Sequence, residues 1–115
     1  MQKMFHLGSC STCQRIIKSL PPSARLDYQD IKTEPVTPAQ LDKMRKLAGS
    51  YEALFSRRAM KYRSMGLADK KLTEKDYRKL ILEEYTFLRR PVLVVDDQIF
   101  IGNSKKVVEA ARAVL

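Results

Sequence analysis

The stretch Phe5-His6-Leu7-Gly8-Ser9-Cys10-Ser11-Thr12-Cys13 decides how the rest of the chain is read. Lys3 to Leu7 is a short apolar run ended by Gly8-Ser9, the pattern of a buried strand followed by a tight turn. Beyond the turn, Cys13, Ile16, Ile17 and Leu20 recur at i, i+3, i+4 and i+7, while Gln14, Arg15 and Lys18 fall off that stripe, so a helix is expected there. The Cys-x-x-Cys pair therefore lies where a strand hands over to a helix. At that point unpaired backbone N–H groups and the helix dipole both favour a thiolate over a thiol, which makes Cys10 the candidate nucleophile. Cys13 sits one turn further in on the apolar stripe, less accessible but within reach of the Cys10 sulfur, and is suited to resolve a mixed disulfide. The plainer alternative is a pair of buried structural thiols. Zinc would find at most His6, Cys10 and Cys13 with no second pair of ligands nearby, and no metal is expected.

The spacing also argues against a staple, because a disulfide closing so short a loop stabilises by only about 2 kcal/mol on chain-entropy grounds. Two cysteines cannot build a secreted disulfide framework either. His6, the one histidine, stands four residues before Cys10; it either shares the Cys10 pocket, where an imidazole would favour the thiolate, or fills a half-buried strand position.

Working outward, the 115 residues suit one domain, and 44% hydrophobic with 30% charged residues is ordinary globular composition. The longest uncharged apolar stretch, Val92 to Val95, is far too short to span a membrane, so no membrane association is expected. No basic-then-apolar leader or cleavage site is visible, and a cytoplasmic location is the expectation. Pro21-Pro22 stops the first helix, and Ala24 to Gln29 alternates as a strand, with Leu26 and Tyr28 on one face. Thr37 as N-cap, Pro38, Gln40 and a closing Gly49 bound a helix over 38–48. Tyr51 to Phe55 suits a short helical turn, while 57–71 is basic and poorly periodic. Thr73 caps a helix expected to run to about Tyr85, with Tyr77, Leu80, Ile81 and Tyr85 inward. Val92 to Val95, the turn Asp96-Asp97 and Gln98 to Ile101 form a hairpin, and Asn103 or Ser104 caps a last helix carrying Val107, Val108, Ala111 and Leu115. Pro91 heads the third strand, as an edge position or a cis-proline turn. The order is α/β: β-α-β, a helical insertion over about 37–86, then β-β-α, within a single domain spanning 1–115.

These pieces together resemble the ArsC/Spx/YffB family, the arsenate-reductase-like branch of the thioredoxin-like fold, over nearly the whole chain. The resemblance is carried by Phe5-His6-x-x-x-Cys10-Ser11-Thr12-Cys13, by Leu54-Phe55-Ser56-Arg57-Arg58 with Tyr62-Arg63-Ser64-Met65-Gly66-Leu67, and by Leu88-Arg89-Arg90-Pro91-Val92 with Ile101-Gly102-Asn103. It implies that Cys10 is the catalytic cysteine, that His6 matches the histidine ahead of it in arsenate reductases, and that Pro91 is cis and faces the cysteines. It also implies that Arg90 binds an anion, and that Arg58, or Arg57 in the alternative register, is the middle-segment arginine. Arsenate reductases of this type carry a serine where this chain has Cys13 and an arginine where it reads Ile101-Gly102-Asn103; the cysteine pair is more like Spx and YffB.

The expected function is a thiol reductase in which Cys10 attacks a disulfide or an arsenate-like oxyanion and is resolved by Cys13 or by glutathione or glutaredoxin. No bound cofactor is expected, glutathione is the expected co-substrate, and a monomer is expected. The alternative is an Spx-like redox-sensing regulator that binds RNA polymerase, for which Gly49 lies near an interface glycine, although a helix end explains it equally well. Direct nucleic-acid binding has the net charge of +9 in its favour but lacks a recognition motif or interleaved aromatic residues. The segment 57–71 holds six basic residues and one acidic, so the excess is local and suits a small anion.

Overall fold

In the computed structural model, residues 2–21 and 25–115 are described; Met1, Pro22, Ser23 and Ala24, and with them part of the expected helix stop and second strand, lie outside the described residues. The chain forms two compact units, one from residues 1–35 and 90–115 and one from residues 36–89.

The first unit holds a four-stranded sheet: β1 (Gln2–His6), β2 (Asp27–Asp30), β3 (Val92–Val95) and β4 (Gln98–Ile101), in the order β2-β1-β3-β4. β1 pairs parallel to β2 and antiparallel to β3, and β3 with β4 is the expected hairpin, its turn closed by Asp96 at φ +54°. Helix α1 (Ser11–Ser19) connects β1 to β2, and α5 (Lys105–Val114), capped by Ser104 Oγ accepting from the Val107 N–H, closes the chain. Alternation along the strands turns Met4, Leu93 and Val95 to one face, where they pack with Ile16 and Leu20 of the α1 segment and Ala111 of α5. This is the β-α-β … β-β-α order of the thioredoxin-like fold. Pro91 heads β3, an interior strand, so the edge reading fails; the Arg90–Pro91 peptide is cis.

The second strand departs from expectation in extent and in facing. It covers Asp27–Asp30, with Arg25 and Leu26 outside it, and its buried residue is Gln29 at 1% exposure, while Tyr28 is 47% exposed. Tyr28 pairs with Met4 and is exposed; Gln29 pairs with Phe5, and its side-chain amide donates to the carbonyls of Glu34 and Pro35 just beyond the strand. A buried amide is tolerable where such acceptors exist, which alternation of hydrophobicity cannot foresee.

In the second unit α2 (Pro38–Ala48) keeps its expected bounds, with a reciprocal Thr37–Gln40 capping box and Gly49 at φ +96°. That left-handed conformation accounts for Gly49 as a helix terminator. The poorly periodic stretch contains α3 (Met60–Ser64) and a 3₁₀ turn over Leu67–Asp69; α3 buries no residue, which is why no stripe marks it in the sequence. Helix α4 (Glu74–Glu83) ends two residues before Tyr85, because Glu84 turns extended and its carboxylate accepts from the Thr86 N–H, starting a separate 3₁₀ turn over Tyr85–Phe87. Phe55 stacks on Phe87 at 5.1 Å and packs against Tyr77 at 4.9 Å, at the centre of this unit's buried aromatic residues.

Replacing Gln29 by Leu removes the donor held by Glu34 and Pro35 and is expected to lower stability by about 1–3 kcal/mol. Denaturant unfolding should show the midpoint falling at unchanged slope; an unaltered midpoint would show that the buried amide contributes nothing.

Candidate functional site

Cys10 occupies the N-cap of α1, the place where serine, threonine or aspartate would ordinarily satisfy the first-turn N–H groups. It adopts an extended conformation (φ −85°, ψ 114°), its N–H donates to the Leu7 carbonyl at 3.0 Å, and its carbonyl accepts from the Gln14 N–H at 3.1 Å. Its side chain makes no capping hydrogen bond. Ionised, it gains what the helix start offers. Partial burial opposes the charge, but the N–H and thiol of Cys13, the N–H of Thr12 and the Arg90 guanidinium together outweigh it and hold the Cys10 thiol below its ordinary value.

Cys13 behaves in the opposite way. It is fully buried, and desolvation, reinforced by the hydrogen bond and charge of Cys10 and only partly offset by the Leu7 backbone and Arg90, pushes its thiol up to about 11. Both cysteines are free. The pair is thus divided into a half-exposed sulfur that ionises readily and a covered one that does not.

Of the other residues singled out from the sequence, the structure brings Arg90 and Pro91 to the cysteine pair's own unit. Arg90 is half-buried and acts electrostatically on both sulfurs, and buried Pro91 accepts from the Gly102 N–H at 2.9 Å. His6 ends β1 with its ring edge-on to Tyr28, centroids 5.8 Å apart, and its Nδ1 is buried with no hydrogen-bond partner among the described residues. The groups that favour the Cys10 thiolate are backbone amides, a second thiol and an arginine, whereas the imidazole is set against a tyrosine.

The two middle-segment arginines differ within their own unit. Arg57 donates to Glu52 at 2.7 Å and to the Tyr77 hydroxyl at 3.0 Å, and lies over the Tyr77 ring. Arg58 is exposed and makes no ion pair among the described residues. Of the two registers open from sequence, Arg58 is the one with its cation available. Lys61 is likewise engaged, by Glu84.

Sequence reasoning missed the side chain of Gln14. Its Nε2 donates to the Gly8 carbonyl at 3.2 Å, across the loop that delivers Cys10. A polar residue in the first turn of a helix that follows a glycine loop was the available signal. Among the described residues no group of three His, Cys, Asp or Glu side chains gathers to hold a metal ion, and no helix is long and apolar enough to cross a membrane.

A family model described as the ArsC family matches residues 5–111. Among solved structures, an arsenate reductase from Vibrio cholerae is similar at 17% identity and a TM-score of 0.79, covering 99% of this chain and 97% of that one. An arsenate reductase (ArsC) related protein from Brucella melitensis is similar at 22% identity and a TM-score of 0.73, covering 95% and 92%. A YffB protein is similar at 20% identity and a TM-score of 0.80, covering 96% and 98%. At these identities the likeness is one of fold. No curated relative matches the sequence.

Alkylation by iodoacetamide, followed for each cysteine by mass spectrometry across pH, should show Cys10 reacting with a midpoint below that of a free cysteine under the same conditions. Cys13 should stay protected until the pH approaches 11. Because the Cys10 thiol is lowered, its thiolate persists as pH falls below the ordinary thiol range; a midpoint at or above that range would overturn the assignment.

Proposed function

Since the chain belongs to the ArsC family, we propose that it is a thiol reductase in which the Cys10 thiolate is the attacking group and Cys13 the resolving one. The observation that carries this reading is the opposed placement of the two sulfurs, Cys10 half-exposed at the α1 N-cap, which holds its thiol low, and Cys13 buried in the core, which pushes its thiol up. On a disulfide, Cys10 Sγ forms a new S–S bond while the substrate S–S bond breaks, and one substrate thiol leaves with the electron pair. Cys13 then loses its proton and attacks Cys10 Sγ, expelling the second substrate thiol; the enzyme pair has given up two electrons and ends as a Cys10–Cys13 disulfide. Two glutathione molecules, or a glutaredoxin, restore the dithiol and carry the oxidation away.

On an arsenate-like oxyanion the same thiolate displaces water to form an S–As bond. A second thiol, Cys13 or glutathione, attacks that sulfur and leaves the electron pair on arsenic. Either way negative charge gathers near the start of α1, where Arg90 is suited to meet it as a bidentate donor. The timing is built into the pair. Part of what raises Cys13 is the charge on Cys10, so once Cys10 is capped by substrate that charge is gone and Cys13 ionises more easily.

Three outcomes follow. Cys10→Ser should abolish glutathione-coupled reduction of a small disulfide or of arsenate, and full activity in that variant would refute the reading. Cys13→Ser should accumulate a Cys10–glutathione adduct of mass one glutathione, where the wild-type protein oxidised alone gives the internal disulfide. Arg90→Gln should shift the Cys10 alkylation midpoint upward and raise KM for an anionic substrate, whereas an unchanged midpoint and KM would remove Arg90 from the site.

A further inference from the structure

The loop Gly8-Ser9-Cys10 must place a sulfur over the first-turn amides of α1, yet the N-cap residue itself contributes no side-chain hydrogen bond as a thiol. Something else has to fix its position. Gln14 binds the loop on both sides of Ser9: its backbone N–H donates to the Cys10 carbonyl at 3.1 Å, and its side-chain Nε2 donates to the Gly8 carbonyl at 3.2 Å. The Asp30 carboxylate crowds the same residue: a Cβ at position 8 would stand 2.5 Å from Oδ2. Asp30 is itself tied down, its Oδ1 accepting from the Lys32 N–H at 3.0 Å. Gly8 thus takes an amide donor from α1 on its carbonyl, and the carboxylate at the end of β2 leaves no room for a side chain there. The half-buried Gln14 shields the first bond from competing water.

We propose that Gln14 is a positioning residue, whose side-chain bond to the Gly8 carbonyl keeps the Gly8-Ser9-Cys10 loop where the Cys10 sulfur stands at the N-terminus of α1. The inference rests on the reading of Cys10 as the reactive thiol. It goes beyond it in assigning control of that thiol to a side chain that never touches the sulfur. The thiolate depends on N–H groups aimed at one point, and such hydrogen bonds weaken steeply with distance and angle. A loop free to swing by a fraction of an ångström loses them without any change in the core.

The test is the pH profile of Cys10 alkylation in Gln14→Leu and Gln14→Met, two side chains that keep helix propensity and bulk but cannot donate. Loss of one neutral hydrogen bond should slow alkylation at neutral pH about three- to tenfold by moving the midpoint upward. The plateau rate at high pH should stay unchanged, because the thiolate once formed is equally exposed. Cys13 protection reports an intact fold in the same spectra, and Ile17→Val, a mild change on the same helix away from the loop, should leave the midpoint alone. A wild-type midpoint below that of a free thiol, unmoved in both Gln14 variants, would overturn the positioning role while leaving the thiol reading standing. A wild-type Cys10 with an ordinary midpoint would instead remove the reading on which the proposal rests.

Discussion

The amides of the first turn of α1 have no carbonyl within the helix to bind, and much of the molecule's chemistry follows from what is set before them. A hydroxyl or carboxylate would satisfy them and nothing more. Here the residue is Cys10, whose side chain makes no capping bond and whose thiol is held low beside those amides, so the need of a helix end becomes a bias toward a reactive anion. The same turn buries Cys13 on the inner face, where the need is reversed and the neutral thiol is favoured. Two identical side chains three positions apart thereby acquire unlike behaviour from one helix.

Around that turn, each supporting element follows from ordinary packing. The parallel β1–β2 pair requires a crossover, α1 provides it, and the strand-to-helix loop must be short. β3, interior and hydrophobic throughout, carries Pro91 at its head and Arg90 just before it, which puts a cation within electrostatic reach of both sulfurs. The unit at 36–89 is held by its own devices: capping boxes at Thr37 and Thr73, and the Phe55, Tyr77 and Phe87 rings.

Elements with local signals were legible in the sequence. α2 is bounded by Thr37-Pro38 and Gly49, and the hairpin strands lie where β-branched residues flank Asp96-Asp97. The cysteine pair was legible for the same reason, since its environment is set by a helix start that the sequence announces. What escaped depends on polar side-chain contacts that hydrophobic periodicity does not encode. Gln29 reads as a solvent-facing position because its acceptors, the carbonyls of Glu34 and Pro35, are invisible until the following turn is built. Tyr85 reads as part of α4 because only the Glu84–Thr86 capping bond ends the helix before it. Arg57 and Arg58 read alike, and differ only because Glu52 and Tyr77 engage one of them. Gln14 lies beside the apolar stripe and would pass for a solvated position but for the Gly8 carbonyl within its reach.

The acidic side chains of the 36–89 unit have consequences beyond the bonds they make. Asp42, Glu52, Glu74, Asp76, Glu83 and Glu84 are each committed to a nearby guanidinium, ammonium, backbone amide or hydroxyl. The ion pairs at Asp42, Glu52, Glu83 and Glu84 cancel at a distance, and exposed cations such as Arg58, Arg63, Lys70 and Lys71 contribute to the field beyond them. That field reaches about 8 Å at physiological ionic strength. Such a field acts on any diffusing anion before a hydrogen bond can form, and so bears on how often an anion is met at this unit's surface rather than on how strongly it is held.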